Sequence, residues 1–458
     1  MLTAYNLRAV AGMEVIMKSK WIVIVLCIAL IGSTLAGCDL VIHADATQPI
    51  NSSKLMEDSD DVIEAQELDS TYADGLNEFA YNIFSKLKGK ENVFISPYSI
   101  SMALSMLYNG ADEKTRTEVA KVLGYHLLTD YSNAYSETAN QYMNANSKYL
   151  MDVLQKADPK VEISIANSIW LAKDVAFQDT IDTALLAPVR NYYNADIFQV
   201  DFTKDKTLDQ VNEWVSDKTE GMIDPFLEQF QDKELLRLFL ANAIYFNGKW
   251  SKPFSPDDTR PEPFIGLNST ETVDMMFMNK EEYRYYSENG MRAIEIPYGN
   301  GSVVMNVLIP EDTENSSISE VYDALSTSVV NQFLEKLDAA YIQELGTLAL
   351  PKFEMEYGTK SLNGALQELG MKDAFIEGEA DFALIGDDLF VSQVSHKAKI
   401  QVEEWGTKAA AATGIEYGTT SALPEEPLQF IVNVPFIFFI RDKQTDSILF
   451  MGEMNQMN

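Results

Sequence analysis

The side chains that most often do chemistry are scarce in this chain. Three histidines, His43, His126 and His396, and two cysteines, Cys27 and Cys38, are spread over 458 residues. No grouping of them has the spacing of a zinc site, and no cysteine lies beyond residue 38. Neither a bound metal, a thiol nucleophile nor a disulfide is therefore expected in the main body of the chain. Walker and dinucleotide glycine motifs are missing too, so no cofactor is expected. Carboxylate pairs stay open, because 69 acidic residues bring carboxylates together by chance. On these grounds the chain is not expected to be an enzyme.

A mechanical kind of chemistry is suggested by the run Glu403-Glu404-Trp405-Gly406-Thr407-Lys408-Ala409-Ala410-Ala411-Ala412-Thr413-Gly414. Four alanines would suit a helix. Gly406, Gly414 and Gly418 flank them, however, with β-branched Thr407, Thr413, Ile415, Thr419 and Thr420, and this company favours an extended or switchable loop. The run lies between two strand-like stretches, Ala398 to Val402 and Gln429 to Ile440. Small side chains matter where a segment must enter a packed sheet, since each bulky residue would add roughly 1 to 3 kcal/mol of overpacking strain.

The N-terminus reads as a targeting segment. Lys18 and Lys20 precede the apolar stretch Trp21 to Ile31, and Leu35-Ala36-Gly37-Cys38 resembles a bacterial lipobox. The stretch is short for a membrane span and ends in Gly32, Ser33 and Thr34. Residues 1–37 are thus expected to be a signal peptide, with Met17 a candidate true start and 1–16 an extension. Cys38 would become the lipidated first residue of an extracytoplasmic, membrane-anchored protein, at the cell surface or in a periplasm. Asp39 to Ser70 is acidic, most densely at Glu57 to Asp61, and reads as a tether.

Residues 71–458 show no linker or repeat and are expected to form one large domain. The net charge of −34 disfavours nucleic acid and anionic membrane surfaces as partners. It reads first as a solvated acidic surface, and second as attraction for a basic protein.

Helical spacing predicts helices over Ala73 to Lys88, Ser99 to Leu107, Lys114 to Leu123 and Leu208 to Asp217. Strands are predicted at Val161 to Leu171, Leu238 to Phe246, Met291 to Tyr298, Val303 to Leu308, Leu348 to Phe353, Phe390 to Val402 and Phe430 to Phe439. Helices gather early and strands late, as in an α+β domain.

Four spaced blocks then resemble the serpin family of serine protease inhibitors, over roughly residues 72–458. They are Asn92-Val93-Phe94-Ile95-Ser96-Pro97-Tyr98-Ser99-Ile100 with Ala103, Leu104 and Leu107; Asn212-Glu213-Trp214-Val215 with Thr219 and Gly221-Met222-Ile223; Leu240 through Asn242 to Trp250; and Asn433 through Pro435 to Ile440 with Leu449-Phe450-Met451-Gly452. The resemblance implies a serpin fold of three β-sheets and about eight or nine helices, with an exposed reactive-centre loop. It implies that Ser96, Ser99, Asn242 and His396 form a polar cluster beneath the opening of the central sheet. From the residues alone, Ser96 and Ser99 suit helix capping and His396 a satisfied core position. Trp250 would cover the top of the sheet, where Lys352 and Glu404 would pair. An exposed pair of that kind contributes only about 0 to 1 kcal/mol.

The mechanism implied is suicide inhibition by a monomer: a serine protease cuts the loop, and the hinge inserts as a new strand. The hinge would comprise Glu404, Gly406, Thr407, Ala409, Ala410, Ala411, Ala412 and Thr413; Lys408 departs from the family's usual glutamate. Family spacing from Glu404 puts the cut bond at Thr420-Ser421, whereas counting back from Phe430 and Pro435 gives Ser421-Ala422. Small Gly418, Thr419 and Thr420 suit an elastase- or subtilisin-like partner. A chymotrypsin-like cut after Tyr417 or Leu423 is also open, and a trypsin-like one is disfavoured. The alternative is a serpin without inhibitory activity, serving as a surface binding or chaperone-like protein.

Overall fold

A computed structural model describes residues 48–52, 62–89, 91–125, 137–314, 316–323, 326–407 and 427–457, all within one unit, Thr47–Asn458. The first helical pattern is α1 (Ser70–Leu87), begun by Asp69, whose carboxylate accepts the Thr71 amide at 2.8 Å. Ser96-Pro97 starts α2 (Pro97–Gly110): Ser96 Oγ accepts the Ser99 amide at 3.1 Å, and Pro97 takes a first-turn position where no amide partner is needed. Ser96 is the cap; Ser99 lies inside the helix and does not cap it.

Next come α3 (Glu113–Val122), α4 (Glu137–Lys156), α5 (Ala187–Tyr193), α6 (Asp205–Lys218), α7 (Ile318–Asp323), α8 (Thr327–Ala339) and α9 (Asn363–Leu369), nine α-helices among the described residues. The three late ones qualify the expected early clustering. Helix α4 escaped the apolar pattern because its buried side also carries polar residues. Asn144 and Asn109 exchange hydrogen bonds, and Ser147 Oγ bonds the Tyr72 hydroxyl at 2.7 Å.

The strands are β1 (Val93–Ile95), β2 (Val161–Ala172), β3 (Asp196–Val200), β4 (Leu238–Lys249), β5 (Thr259–Ile265), β6 (Thr270–Glu288), β7 (Met291–Pro297), β8 (Val303–Pro310), β9 (Ile342–Pro351), β10 (Phe353–Ser361), β11 (Val391–Glu403), β12 (Gly406–Thr407), β13 (Gln429–Ile431), β14 (Phe436–Asp442) and β15 (Ser447–Met454). The expected strand from Phe430 to Phe439 is two: the chain leaves one partner, β9, and joins another, β8. Pro435, which has no amide for a ladder, lies at the crossing. The expected Leu348 to Phe353 strand likewise breaks at Lys352.

Hydrogen bonding joins the strands into two sheets. One has six strands in the order β10-β11-β12-β4-β2-β3; the other has nine, in the order β1-β15-β14-β8-β7-β6-β9-β13 with β5 on β6. The α+β serpin fold is therefore present, with a correction to the count of sheets. The 19-residue β6 pairs with β7 at one end, with β5 at the other and with β9 along its middle, so it fuses the second and third expected sheets.

Aromatic rings lock the two sheets together. Phe94 of β1 stacks on Phe450 of β15 at 5.4 Å, and Phe450 meets Phe246 of β4 at 5.5 Å. Within the segment read as a tether, residues 48–52 lie against β3: Ile50 N donates to Ile197 O at 2.7 Å and Asn51 Nδ2 to Ala195 O at 2.9 Å. Among the described residues no helix is long and apolar enough to cross a membrane.

Phe94→Ala should lower apparent unfolding stability by about 3 to 5 kcal/mol in urea melts, because the ring is fully buried between the sheets. A loss below about 1 kcal/mol would mean that the rings do not couple them.

Candidate functional site at a seam in the six-stranded sheet

Strands β4 and β11 run parallel and pair directly through eight residue pairs, from Leu238/Val391 to Tyr245/Lys399. Beyond that level they part. The chain turns at Glu404-Trp405 and returns as β12, antiparallel to both neighbours. Gly406 lies opposite Glu403 and Lys249, and Thr407 opposite Val402 and Gly248. Gly406 has φ +144°, and a Cβ there would stand 2.2 Å from the Gly248 carbonyl oxygen, so no other residue fits. Thr407 is fully buried, with Oγ1 2.9 Å from the Tyr298 hydroxyl.

The turn is clamped from three directions. Trp250, 2% exposed, stacks on Tyr298 at 4.3 Å. It donates from Nε1 to Glu403 O at 2.9 Å and from its amide to Trp405 O at 3.1 Å. The Phe254 amide donates to Glu404 O at 2.8 Å. The Glu404 carboxylate, nearly buried, accepts Thr259 Oγ1 at 2.9 Å and pairs with Lys352 Nζ at 2.9 Å.

Burial pushes the Glu404 carboxyl up, yet the bonds from Lys352, the backbone and Thr259 together outweigh it and hold the group below its usual range. For Lys352, burial works against the charge, and the bond to Glu404 overcomes it and raises the ammonium. This is more than the exposed pair expected. Removing Lys352 would strand a nearly buried carboxylate, which costs more than losing a surface contact.

Below the parting lies the polar cluster, and Ser96, Ser99, Asn242 and His396 do come together, all fully buried. His396 and Asn242 face each other across the seam, and His396 Nδ1 bonds Asn242 Oδ1. Nε2 of His396 accepts the Ser96 amide at 3.2 Å, which assigns the neutral tautomer with its proton on Nδ1. Asn242 Nδ2 lies 2.9 Å from Ser99 O, 2.6 Å from Ser99 Oγ, and against Asn167 Oδ1. Ser96 Oγ donates to Leu449 O at 2.6 Å. Asn167 belongs to this cluster and was missed; it stands on β2 directly opposite Asn242, a register that the sequence does not display. Burial drives the His396 pKa down to about 3.

A strap crosses the seam. Helix α6 rests on β2 and β3 through Trp214, whose ring meets Trp170 at 6.4 Å and Phe198 at 6.1 Å. Asn212 of α6 holds Leu227 by two hydrogen bonds of 2.8 Å. The segment between then reaches the far side: Lys397 Nζ of β11 donates to Pro225 O at 2.8 Å, and Thr359 Oγ1 of β10 donates to Phe226 O. Lys397 and Thr359 carried no signal in the sequence. Ala409 to Thr413, the candidate bonds at Thr420, Ser421 and Ala422, and Cys38 lie outside the described residues.

A two-residue strand is thus wedged between β4 and β11 at one end of an otherwise closed seam, above a buried polar cluster. The profile of the serpin family, described as serine protease inhibitors, matches residues 74–457. An uncharacterized serpin-like protein of Thermococcus kodakarensis is 32% identical over 385 residues, 83% of this chain and 84% of its own. Leukocyte elastase inhibitor A of Mus musculus is 32% identical over 387 residues, 82% of this chain and 97% of its own. The crystal structure of the thermophilic serpin tengpin in its native state matches with a TM-score of 0.74 at 30% identity, covering 86% of this chain and 96% of that one. The chain belongs to the serpin family, which is described as one of serine protease inhibitors and not of enzymes.

The cluster makes a pH prediction. His396 stays neutral in the fold but titrates near 6.5 when unfolded, so between about pH 6.5 and 3 the unfolded chain binds more protons. Its contribution to stability is complete above that window and falls with pH, by about 3 to 5 kcal/mol at the acid end. In urea melts, His396→Gln should flatten the pH dependence across this range by about one proton; an unchanged slope would show that His396 is not held neutral.

Proposed function

We propose that this chain is a suicide inhibitor of serine proteases that works by loop cleavage and strand insertion. The observation that supports it most directly is the seat of β12: Gly406 and Thr407 already occupy the first two rungs between β4 and β11. Extending that antiparallel register down the seam would set Ala409 opposite Ile400 and Phe246, Ala411 opposite Ala398 and Ile244, and Thr413 opposite both His396 and Asn242. These three share the inward face of Thr407. They would enter among fully buried neighbours, where only small side chains fit. Thr413 is the one with a hydroxyl, and it would arrive where the His396–Asn242 bond had parted. Lys408 would fall on the other face, opposite Gln401 and Asn247, which are partly exposed, so its departure from the family pattern does not block insertion.

In the reaction the target's serine attacks the loop carbonyl at Thr420-Ser421 or Ser421-Ala422, the peptide nitrogen leaves with a proton, and an acyl-enzyme remains. Insertion then replaces one parallel ladder by two antiparallel ones, which are the more stable per residue. The released strain carries the protease away and distorts it before water completes hydrolysis. Small residues before the bond, and the lack of Lys or Arg between Thr413 and Phe430, support an elastase- or subtilisin-like target. The lipobox-like residues before Cys38 support action outside the cytoplasm, held by a lipid anchor.

The test mixes the chain lacking residues 1–38 with elastase, subtilisin, chymotrypsin and trypsin, and resolves the products by denaturing gel and intact mass. A denaturation-resistant complex and a released peptide beginning at Ser421 or Ala422 are expected with elastase or subtilisin. Clean cleavage with the proteases left active would favour a non-inhibitory binding protein. Thr407→Arg should turn the inhibitor into a substrate, because a guanidinium cannot replace a fully buried threonine beside Tyr298; unchanged trapping would count against this seat.

A further inference from the structure

A groove of about 610 Å³ opens where β6, the β9–β10 junction and the C-terminal residues meet. Its floor is apolar: Phe353, Met454 and Met457 are nearly buried, and Val273 flanks them. Its volume is in the range that takes a small organic ligand.

The rim carries Asp274, Glu354 and Glu356 against a single ammonium, Lys352. Two rim groups cannot serve a ligand, because Asn92 and Gln456 are already spent on neighbours. Asn92 Oδ1 accepts the amides of Asn455 and Gln456, and its Nδ2 donates to Gln456 O. Gln456 Oε1 accepts the amides of Asn268 and Ser269, and its Nε2 donates to Ser269 Oγ and Glu271 Oε1.

Of the charged groups, Lys352 is held by Glu404, Glu354 by Lys399 at 2.8 Å and Glu356 by Lys397 at 2.6 Å. The Lys397 bond in particular keeps the Glu356 carboxyl below its usual range and so charged. Asp274 is the rim carboxylate that makes no ion pair among the described residues, and its backbone oxygen fixes Lys352 by accepting its amide at 2.8 Å.

We propose that this groove binds a small organic cation, an ammonium or guanidinium on a short aromatic or aliphatic body, with the charge on Asp274 and the body on Phe353, Met454 and Met457. An anion would face Asp274 with no free ammonium to offset it, since Lys352 is held by Glu404. The aromatic and thioether floor suits a ring edge. The groove abuts the hinge clamp through Lys352, but binding there does not depend on protease inhibition, and the two fail separately.

Calorimetry on the intact protein with phenethylamine, and with phenylpropionate as the anionic counterpart, tests this. One-site binding of the amine tighter than about 10 mM is expected, weakening as salt is raised. Asp274→Asn, at an exposed position, should weaken it about five- to tenfold without moving the unfolding midpoint. Thr272→Lys, which brings an ammonium to the rim, should abolish it. Equal binding of phenylpropionate, indifference to Asp274→Asn, or no heat with the amine at that concentration would each overturn the proposal.

Discussion

The structure turns on one unequal seam. Strands β4 and β11 are hydrogen-bonded to each other along most of their length and to a third strand, β12, at one end. A sheet cannot do both without a residue that tolerates the junction. Gly406 is that residue, since its left-handed backbone lies against the Gly248 carbonyl. Gly248 in turn has no side chain, and a Cβ there would stand 2.8 Å from the Phe246 ring. Two glycines facing across two rungs therefore let the chain begin a strand in a place where the sheet is otherwise complete.

The seam is guarded on both faces. Beneath it, His396 and Asn242 bond across the line along which the strands would separate. Above it, α6 stands on β2 and β3 while Lys397 and Thr359 hold its strap from β11 and β10. A new strand would move the two sides apart by about 4.8 Å, farther than any hydrogen bond stretches. These bonds must break before the incoming ladder returns its own, and that order of events makes a barrier. If the chain works by the proposed insertion, it would be governed by rate as much as by equilibrium.

Much of this was legible because it follows from side-chain type. Ser96-Pro97 marked the start of α2, and alternating or continuous apolar runs marked β2, β4, β7, β8 and β11. What escaped depends on contacts between distant parts of the chain. Asn167 joins the polar cluster only because β2 and β4 pair in one register. Helix α4 hid because its asparagines and Ser147 are satisfied inside the core. Strand β6 was not predicted at all, and its fusion of two sheets depends on pairing with β5, β7 and β9 that its residues do not display. The Lys352–Glu404 pair was implied by the family resemblance, but its burial was not, and burial is what makes it a clamp.

Two sets of residues divide the work at the seam. In the proposed insertion, small side chains would let a strand enter, because Ile400, Phe246, Ala398 and Ile244 are fully buried. The clamp on the turn fixes where. Trp250, Phe254, Thr259 and Lys352 hold the backbone and side chain of Glu403 to Trp405 by five contacts of 2.8 to 3.1 Å. None of the four needs to let go for Thr407 to stay seated, since all grip the turn rather than the strand that follows it. In the proposed insertion the turn could thus remain fixed, and it would serve as the pivot for the strand that follows it.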